Sequence, residues 1–506
     1  MDVRTLSSRH PLCTSDLFRK YEALYMGGET FRSMVGEFLP KQPQDTDVVY
    51  RARLKEASYR PFVGQITRAY AGALFASPFA LRAKKGDKEA ELDPSYEAFK
   101  EDADGFGCDL TNFFKDRFRK ALVFGCSYWL VEMPSDAAEM PEESGPEKAA
   151  RLCPIDTQAV LDWEADEDGT YLWIKVFESA LRRPDPSAPA MRVDTWKIYF
   201  QDRVDVYQIT YDPKKPPRKD QQVPLVDQYD HGCARVPILC MRLPAGLWLL
   251  DVASDAQIEH FRLSCALGWA LRRCSYPLGV FNLESGARET PLTGPGMGVM
   301  LGKDEKFGWA EPSGGALSVL REEIKAQKDE IYRVAQQMAM SADNSSPSAV
   351  GRSGLSKLAD AAATDSCLRD YAHYARESIE ATYELVSNAR GELDLTFSVE
   401  GMNSFNTQDI ETLISLAETA KTLGIEEESD TFRIESHYRL ADLLLPSDTQ
   451  QGVKDEIRKE ISRPPPKKEP IFQPNAGNNP FAKGDPTNDE SRIDAASPTP
   501  ANGMEE

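Results

Sequence analysis

Apolar positions between residues 316 and 340 follow the spacing of an α-helix. They recur at alternating intervals of three and four residues, which places them along one narrow stripe. The stripe consists of Leu317, Leu320, Ile324, Gln327, Ile331, Val334 and Met338. The other faces carry many charged side chains: Arg321, Glu322, Glu323, Lys325, Lys328, Asp329, Glu330 and Arg333. The pattern predicts a helix that packs along its stripe and meets water elsewhere.

A polar loop and a second helix follow this segment. Residues 341–354 are mostly Ser, Asn, Gly and other loop formers, with no large apolar side chain except Val350. Helical spacing then returns from residue 355 to about 388, which predicts a helix roughly 50 Å long at 1.5 Å per residue. A polar loop between two long helices suggests that this region has a mechanical role.

The first half of the chain divides into a helical region and a sheet region. Residues 1–125 are predicted to be helical, most clearly at 60–77, where Pro61 suits a first turn and an apolar stripe includes Phe62 and Ile66. From residue 126 to 242 the apolar period approaches two, with turn residues between the runs. This region is predicted to form an antiparallel sheet, so the fold class is α+β. An acidic insert at 134–147 is expected to be a solvated loop.

The remaining segments complete the predicted order of elements. Residues 251–275 read as a helix with apolar residues nearly all round, which requires packing partners on several sides. A glycine-rich, partly extended stretch follows at 278–315, a short strand is expected at 393–399, and 407–462 should be mostly helical. The segment from residue 463 contains nine prolines and few large apolar residues, so we expect it to be disordered.

Composition excludes several classes of protein. Among 506 residues, 41% are hydrophobic, which is ordinary for a soluble globular protein of two to four domains. The longest apolar stretch, at 69–81, is shorter than the roughly 20 residues that span a bilayer, so no membrane partner is expected. The net charge of −21 argues against tight nonspecific binding of nucleic acid, which needs a basic surface. DNA that passes through without being gripped stays compatible with this charge.

No metal or cofactor site is predicted. The nine cysteines are scattered, and no two of them have the two-residue gap of a zinc or redox motif. His231 and Cys233 are close enough in sequence to be ligands, but a turn with a chance histidine is the better interpretation.

Candidate catalytic motifs also fail. Residues 294–303 resemble a phosphate-binding loop, but Met297 stands where the first glycine is needed and Asp304 stands where Ser or Thr is needed. A turn-rich hairpin is the better interpretation. Ser353 lies between two glycines like a nucleophile elbow, yet Leu355 replaces the second required glycine and no strand precedes the motif. We therefore expect no enzyme activity.

Two segments resemble the portal proteins of tailed bacteriophages, which are rings through which DNA enters and leaves the capsid. The first runs Tyr50-Arg-Ala-Arg53, Ala57, Tyr59, Pro61-Phe62-Val63 and Arg68-Ala-Tyr-Ala-Gly72-Ala-Leu-Phe75 with Pro78. The second is Ile155-Asp-Thr-Gln-Ala-Val-Leu-Asp-Trp163 followed by a hairpin. The resemblance covers most of residues 10–462.

The order of predicted elements matches the plan of that family. The resemblance implies a helical and antiparallel-sheet wing at 1–250, a first stem helix at 251–275, a clip at 276–315, a second stem helix at 316–340, a tunnel loop at 341–354, a long wing helix at 355–390, a helical crown at 391–462 and a disordered tail at 463–506. One departure is the weakly basic loop, which has Arg352 against Asp343.

The resemblance implies a non-catalytic subunit of a virion ring of about twelve copies, assembled by head-to-tail contacts in the host cytoplasm. Its implied partners are double-stranded DNA, the terminase large subunit, the head-tail adaptor, and the major capsid and scaffolding proteins. The implied channel residues are Asn344, Ser345, Ser346 and Arg352 in the loop, and Glu323, Lys328, Glu330 and Arg333 on the second stem helix. Subunit contacts are expected from Leu317, Leu320, Ile324, Ile331, Val334 and Met338.

Two alternatives stay open. One is another head-completion or adaptor protein of the virion, which ring-shaped particles of the purified protein would argue against. The other is a hydrolase that uses Ser353, which loss of a measured activity in Ser353→Ala would support.

Overall fold

The computed structural model describes most of the chain in two compact units. The described residues are 1–13, 15–43, 45–76, 79–86, 88–90, 92–133, 150–183, 185–274, 278–282, 306–310, 315–335, 354–402, 422, 429–444 and 451–462. The first unit is Met1–Leu423 and the second is Gly424–Glu506.

Short helices dominate the amino-terminal region, as the sequence predicts. They are α1 (Val3–Leu6), α2 (Ser15–Met26), α3 (Gly28–Ser33), α4 (Val35–Phe38), α5 (Asp47–Glu56), α6 (Phe62–Leu74), α7 (Pro94–Glu101) and α8 (Leu110–Phe124). Two strands that the helical prediction missed, β1 (Ala80–Lys85) and β2 (Lys88–Ala90), lie between α6 and α7. Gly125 ends α8 with a φ of +74°, and Trp248 packs so closely that an added Cβ would lie 2.9 Å from its ring.

The predicted antiparallel sheet region is confirmed. Its strands are β3 (Cys126–Glu132), β4 (Arg151–Ile155), β5 (Val160–Ala165), β6 (Tyr171–Arg182), β7 (Met191–Phe200), β8 (Val204–Tyr211), β9 (Leu225–Tyr229) and β10 (Ile238–Arg242). Strands β5 to β9 form one five-stranded meander, and β10, β3 and β4 form a second sheet with β3 in the middle. The acidic insert at 134–147 lies outside the described residues.

The second half of the first unit is built on long helices. It contains α9 (Leu249–Cys274), β11 (Leu278–Asn282), β12 (Lys306–Ala310), α10 (Gly315–Val334), α11 (Gly354–Ala389) and β13 (Leu395–Glu400). The helices predicted at 251–275 and 355–388 are present, and the strand expected at 393–399 is β13. The helix predicted at 316–340 is present as far as Val334, and residues 336–340 lie outside the described part of the chain. Strand β13 pairs antiparallel with β1, so Leu81 lies opposite Val399. The second unit contains α12 (Asp430–Leu444) and α13 (Gln451–Ile461).

Helix α11 passes through the main hydrophobic core. Its Leu368, Ala372 and Ile379 are completely buried. The side chain of Trp129, from β3, packs edge-on to Phe114 of α8 and donates a hydrogen bond from Nε1 to Thr382 Oγ1 of α11 at 3.2 Å. A buried indole N–H needs a hydrogen-bond acceptor, and Thr382 of α11 supplies it. Trp129 therefore links α11 to both the helical region and the sheet.

Candidate functional site

Helices α9 and α10 form an antiparallel pair joined through the β11–β12 hairpin. Strands β11 and β12 pair antiparallel, with Leu278 opposite Ala310. Lys328 of α10 acts electrostatically on His260 of α9, so the two helices lie close together at these residues. Helix α9 has 26 residues and α10 has 20, which gives lengths of about 39 Å and about 30 Å. The two helices cover most of the residues at which the sequence predicts helices, 251–275 and 316–340.

The amino-terminal half of α9 is enclosed by this chain itself. Leu249, Leu250, Ala253 and Phe261 are buried, with exposed fractions of 2% or less. Helices α2, α5, α6, α8 and α10 all pack on α9. The predicted need of α9 for several partners is thus met largely within one chain.

A buried amide on α9 holds the start of α6. The Gln257 side chain is completely buried, and its Oε1 accepts hydrogen bonds from the backbone N–H groups of Phe62 at 3.0 Å and Val63 at 3.3 Å. Its Nε2 donates to the carbonyl oxygen of Arg60 at 3.0 Å. Since Pro61 offers no side-chain cap, Gln257 accepts from two of the free N–H groups that a helix start leaves.

A histidine lies at the junction of α6, α9 and α10. His260 is 5% exposed, and its ring meets Phe62 edge-on at 5.0 Å. Burial, assisted by the positive charges of Arg60 and Lys328, lowers the pKa of His260 to about 4. The imidazole is therefore neutral at physiological pH. Lys328 also lies over the Phe62 ring, with its Nζ 6.0 Å from the centroid.

The halves of α9 and α10 nearer the hairpin are less enclosed. On α9 the apolar side chains of Leu263, Leu267, Trp269 and Leu271 are only half-buried. On α10 the side chain of Val319 is 65% exposed. The pair therefore extends from a well-packed base towards an end with open apolar surface.

The residues of the predicted interface stripe are buried to different degrees. Leu317, Leu320, Ile324 and Val334 are half-buried in the single chain and keep some surface. Ile331 is completely buried in the main core and keeps none, so its burial stabilises the fold of one chain. Met338 lies outside the described residues.

The predicted channel residues of α10 lie on one charged helix but in different surroundings. Glu323 is exposed and accepts a hydrogen bond from Gln327 at 3.1 Å. Arg333 donates to Glu330 through Nε at 2.7 Å, and the ion pair lowers the pKa of Glu330. Lys328 is half-buried at the base. Helix α10 carries four basic and four acidic side chains, so its formal charges cancel.

A tyrosine on α6 joins the end of α10 to α11. The Tyr70 side chain is completely buried, and its hydroxyl donates a hydrogen bond to the carbonyl oxygen of Ala335. The same ring lies edge-on to Tyr371 of α11, with centroids 5.3 Å apart. Both helices that flank residues 336–353 are therefore anchored on α6.

Several predicted residues lie outside the described part of the chain. These are the loop residues Asn344, Ser345, Ser346 and Arg352, the possible nucleophile Ser353, and the glycine-rich motif at 294–303. That motif falls between β11 and β12, which are the two strands of a hairpin.

The His231–Cys233 segment is a turn. The backbone N–H of Cys233 donates to His231 Nδ1 at 3.2 Å, and His231 Nε2 lies 2.9 Å from the carbonyl oxygen of Phe200. Both ring nitrogens thus have backbone partners. No cluster of three metal-binding side chains occurs among the described residues, and none of the described helices is long and apolar enough to cross a membrane.

Sequence reasoning missed the residues that hold this site together. Gln257 and His260 lie on α9, whose sequence is apolar on nearly all sides, so neither residue stood out. Tyr70 lies on α6, which was predicted from its apolar stripe alone. One signal was available for Gln257 and His260, since polar side chains in an otherwise apolar helix need buried partners.

Comparisons with known proteins gave distant structural similarities. No protein-family model matches the chain, and no curated protein matches it significantly. A chain from the neck of an empty GTA particle, solved with C6 symmetry, is 15% identical with a TM-score of 0.38, covering 84% of this chain and 95% of that chain. A chain from a native gene transfer agent (GTA) virion is 14% identical with a TM-score of 0.38, covering 83% and 99%. A chain from the neck of a native GTA particle, solved with C12 symmetry, is 13% identical with a TM-score of 0.41, covering 83% and 99%.

Proposed function

We propose that this chain is the subunit of a portal, a closed ring at a capsid vertex through which double-stranded DNA is packaged and ejected. The observation that carries the proposal is the antiparallel α9–α10 pair, which leads into the long helix α11 in the order that the portal resemblance implies. One strongly packed end fixes the pair to a folded body, while the other end carries open apolar surface for neighbouring copies.

The charge of α10 suits a wall along which DNA moves. Four basic and four acidic side chains cancel on this helix, and the whole chain has a net charge of −21. Such a surface releases few counterions on meeting phosphate, so it does not hold DNA tightly. In this proposal Glu323, Glu330 and Arg333 face the channel.

The anchoring of α10 and α11 supports a role for the loop between them. Tyr70 contacts both Ala335 and Tyr371, so one side chain holds the two helices before and after the polar segment that includes Asn344, Ser346 and Arg352. We propose that this segment meets DNA in the channel. One Arg per subunit contributes little alone, but about twelve copies around a ring present it at high local concentration.

The proposed assembly is a homo-oligomer of about twelve copies in the virion. Its proposed partners are the terminase large subunit during packaging, a head-tail adaptor afterwards, and the major capsid and scaffolding proteins during assembly. The subunit itself is proposed to have no catalytic role, so ATP hydrolysis belongs to the terminase.

Shortening the loop tests this function. Residues 344–352 are replaced by a short Gly-Ser link, and nuclease-protected DNA per procapsid is measured at one salt concentration. We expect normal rings and reduced protected DNA, because Val350 is the one large apolar side chain in the sequence of the replaced segment. A second variant, Arg352→Ala at full loop length, separates the effect of the Arg352 charge on DNA protection from the effect of the loop length.

A control replaces the exposed turn between β5 and β6, at 166–169, with Gly and Ser at the same length. It should package like the wild type. Equal DNA protection in the wild type and the shortened-loop chain would contradict the assignment of this loop to the channel.

A further inference from the structure

A phenylalanine is displayed on an ordered loop at the start of α8. The Phe106 side chain is 91% exposed. Its backbone is held in place, since Asp104 Oδ1 accepts the N–H groups of Phe106 at 2.8 Å and Cys108 at 3.1 Å, and Asp102 Oδ1 accepts that of Gly107 at 2.9 Å. A single exposed apolar side chain is ordinary. An aromatic ring presented by a loop with this many hydrogen bonds resembles an interface anchor.

A cavity of matching size opens at the other end of α8. We call it the Trp163 pocket; its volume is about 200 Å³, and its lining includes Phe18, Phe124, Trp163 and Trp248, with Leu12 and Arg242. An apolar cavity of about 150 Å³ is enough to hold a benzene ring. The Trp163 pocket therefore has room for one phenyl side chain.

The charges around the two features are opposite. Asp102, Asp104 and Asp109 surround Phe106 in sequence. At the pocket, the Arg242 guanidinium lies 6.0 Å from the centroid of the Trp163 ring. Within the described part of the chain no carboxylate pairs with Arg242. An acidic loop that approached this pocket would thus bring its carboxylates towards an available cation.

The two features cannot meet within one chain. Helix α8 has 15 residues, so it separates them by about 22 Å. Phe106 precedes the first residue of α8, and Phe124 at its last residue lines the pocket. A contact between such different surfaces of two identical chains is heterologous, and it generates a ring if the rotation closes.

We propose that Phe106 of one copy inserts into the Trp163 pocket of the next copy, with Arg242 facing the acidic loop. This inference rests on the proposed ring and adds a specific contact to it. The contact is directional, since each copy gives one phenyl ring and receives another.

Complementation between two variants tests the contact. Phe106→Ala removes the ring but keeps the pocket, whereas Leu12→Asp keeps Phe106 and places a carboxylate at the pocket. Leu12 is 70% exposed and Phe106 is 91% exposed, so both chains should fold normally. Each variant alone should need an at least about tenfold higher concentration to assemble, the size of effect seen for interface anchors. Mixed in equal amounts below that concentration, they should form dimers that do not extend, because only the junction between the Phe106 of Leu12→Asp and the pocket of Phe106→Ala is intact.

Sedimentation velocity gives the sizes, and thermal unfolding of each variant checks the fold. The matched control is Leu181→Ala, another exposed apolar side chain, which should assemble as the wild type does. Arg242→Glu tests the pocket side of the contact through its charge, because a carboxylate at this position would repel the acidic loop around Phe106. Rings of Phe106→Ala at the wild-type concentration, or no dimers in the mixture, would overturn the contact while leaving the ring intact. A wild type that stays monomeric at all concentrations would overturn the ring and the contact together.

Discussion

The hydroxyl of Tyr70 donates a hydrogen bond to the backbone carbonyl of Ala335, 265 positions further along the chain. Both groups are buried, and Tyr70 also packs on Tyr371. This single side chain on α6 therefore links the last described residue of the α10 segment to helix α11. When a buried carbonyl loses such a hydrogen-bond donor, the folded state loses more free energy than the intact hydrogen bond contributes to stability, because the polar group stays buried without a partner.

Tyr70→Phe should weaken this link without enlarging any cavity. We expect the free energy of unfolding to fall by about 1–3 kcal/mol, the cost of an unsatisfied buried polar group. Chemical denaturation of the two chains measures the difference. Tyr374→Phe, at a half-buried position on α11, is the control and should be nearly neutral. Equal stability of Tyr70→Phe and the wild type would show that the hydrogen bond contributes nothing.

Stability should depend on pH through His260. Its pKa is about 4 in the folded chain against an ordinary 6.5, so the unfolded chain binds the proton more readily between these values. The stabilisation is complete above pH 6.5 and is lost as the pH falls towards 4, by about 3 kcal/mol in all. In His260→Gln the free energy of unfolding should therefore fall less than in the wild type between pH 6.5 and pH 4, by about the same amount. A His260→Gln profile parallel to that of the wild type would refute this role of His260.

Gln257→Leu should destabilise the junction of α6 and α9. The change leaves the buried N–H of Val63 without its side-chain partner, whereas the Phe62 N–H and the Arg60 carbonyl keep their 3.1 Å hydrogen bond to each other. We expect a loss of about 1–3 kcal/mol, the cost of one unsatisfied buried group. Gln327→Leu is the matched control, because Gln327 bonds to the exposed Glu323. If both variants unfolded at the same denaturant concentration as the wild type, Gln257 would not act as a cap.

Two substitutions on α10 separate folding from assembly. Ile331→Asp places a charge in a completely buried position, so it should cost several kcal/mol of chain stability. Val319→Asp lies at a position that is 65% exposed, so it should leave the stability of the chain within about 0.5 kcal/mol. Its effect on ring assembly then reports on contacts between copies. Unfolding curves and sedimentation of the same samples compare the two properties, and loss of stability in Val319→Asp would contradict this separation.

Local periodicity was enough to predict the helices and the antiparallel sheet. Helices α6, α9, α10 and α11 each carry a stripe or an apolar surface over many residues, which a sequence shows directly. The pairing of β1 with β13 was not predicted, because Leu81 and Val399 are opposite each other only in the folded chain. Short strands with few apolar residues give little local signal.

The surroundings of single side chains were harder to predict. The stripe on α10 indicated that Ile331 is buried, but periodicity does not tell whether a helix packs against its own chain or a neighbouring copy. Likewise the partners of Tyr70, Gln257 and His260 are far away in sequence. Their roles follow from tertiary contacts, which the sequence pattern of a single helix does not reveal.

Electron microscopy of the purified full-length protein tests the central claim most directly, because symmetry is visible in axial views. The account predicts closed rings of about twelve copies, each with a central channel. Monomers at every protein concentration, or open filaments in place of closed rings, would contradict it.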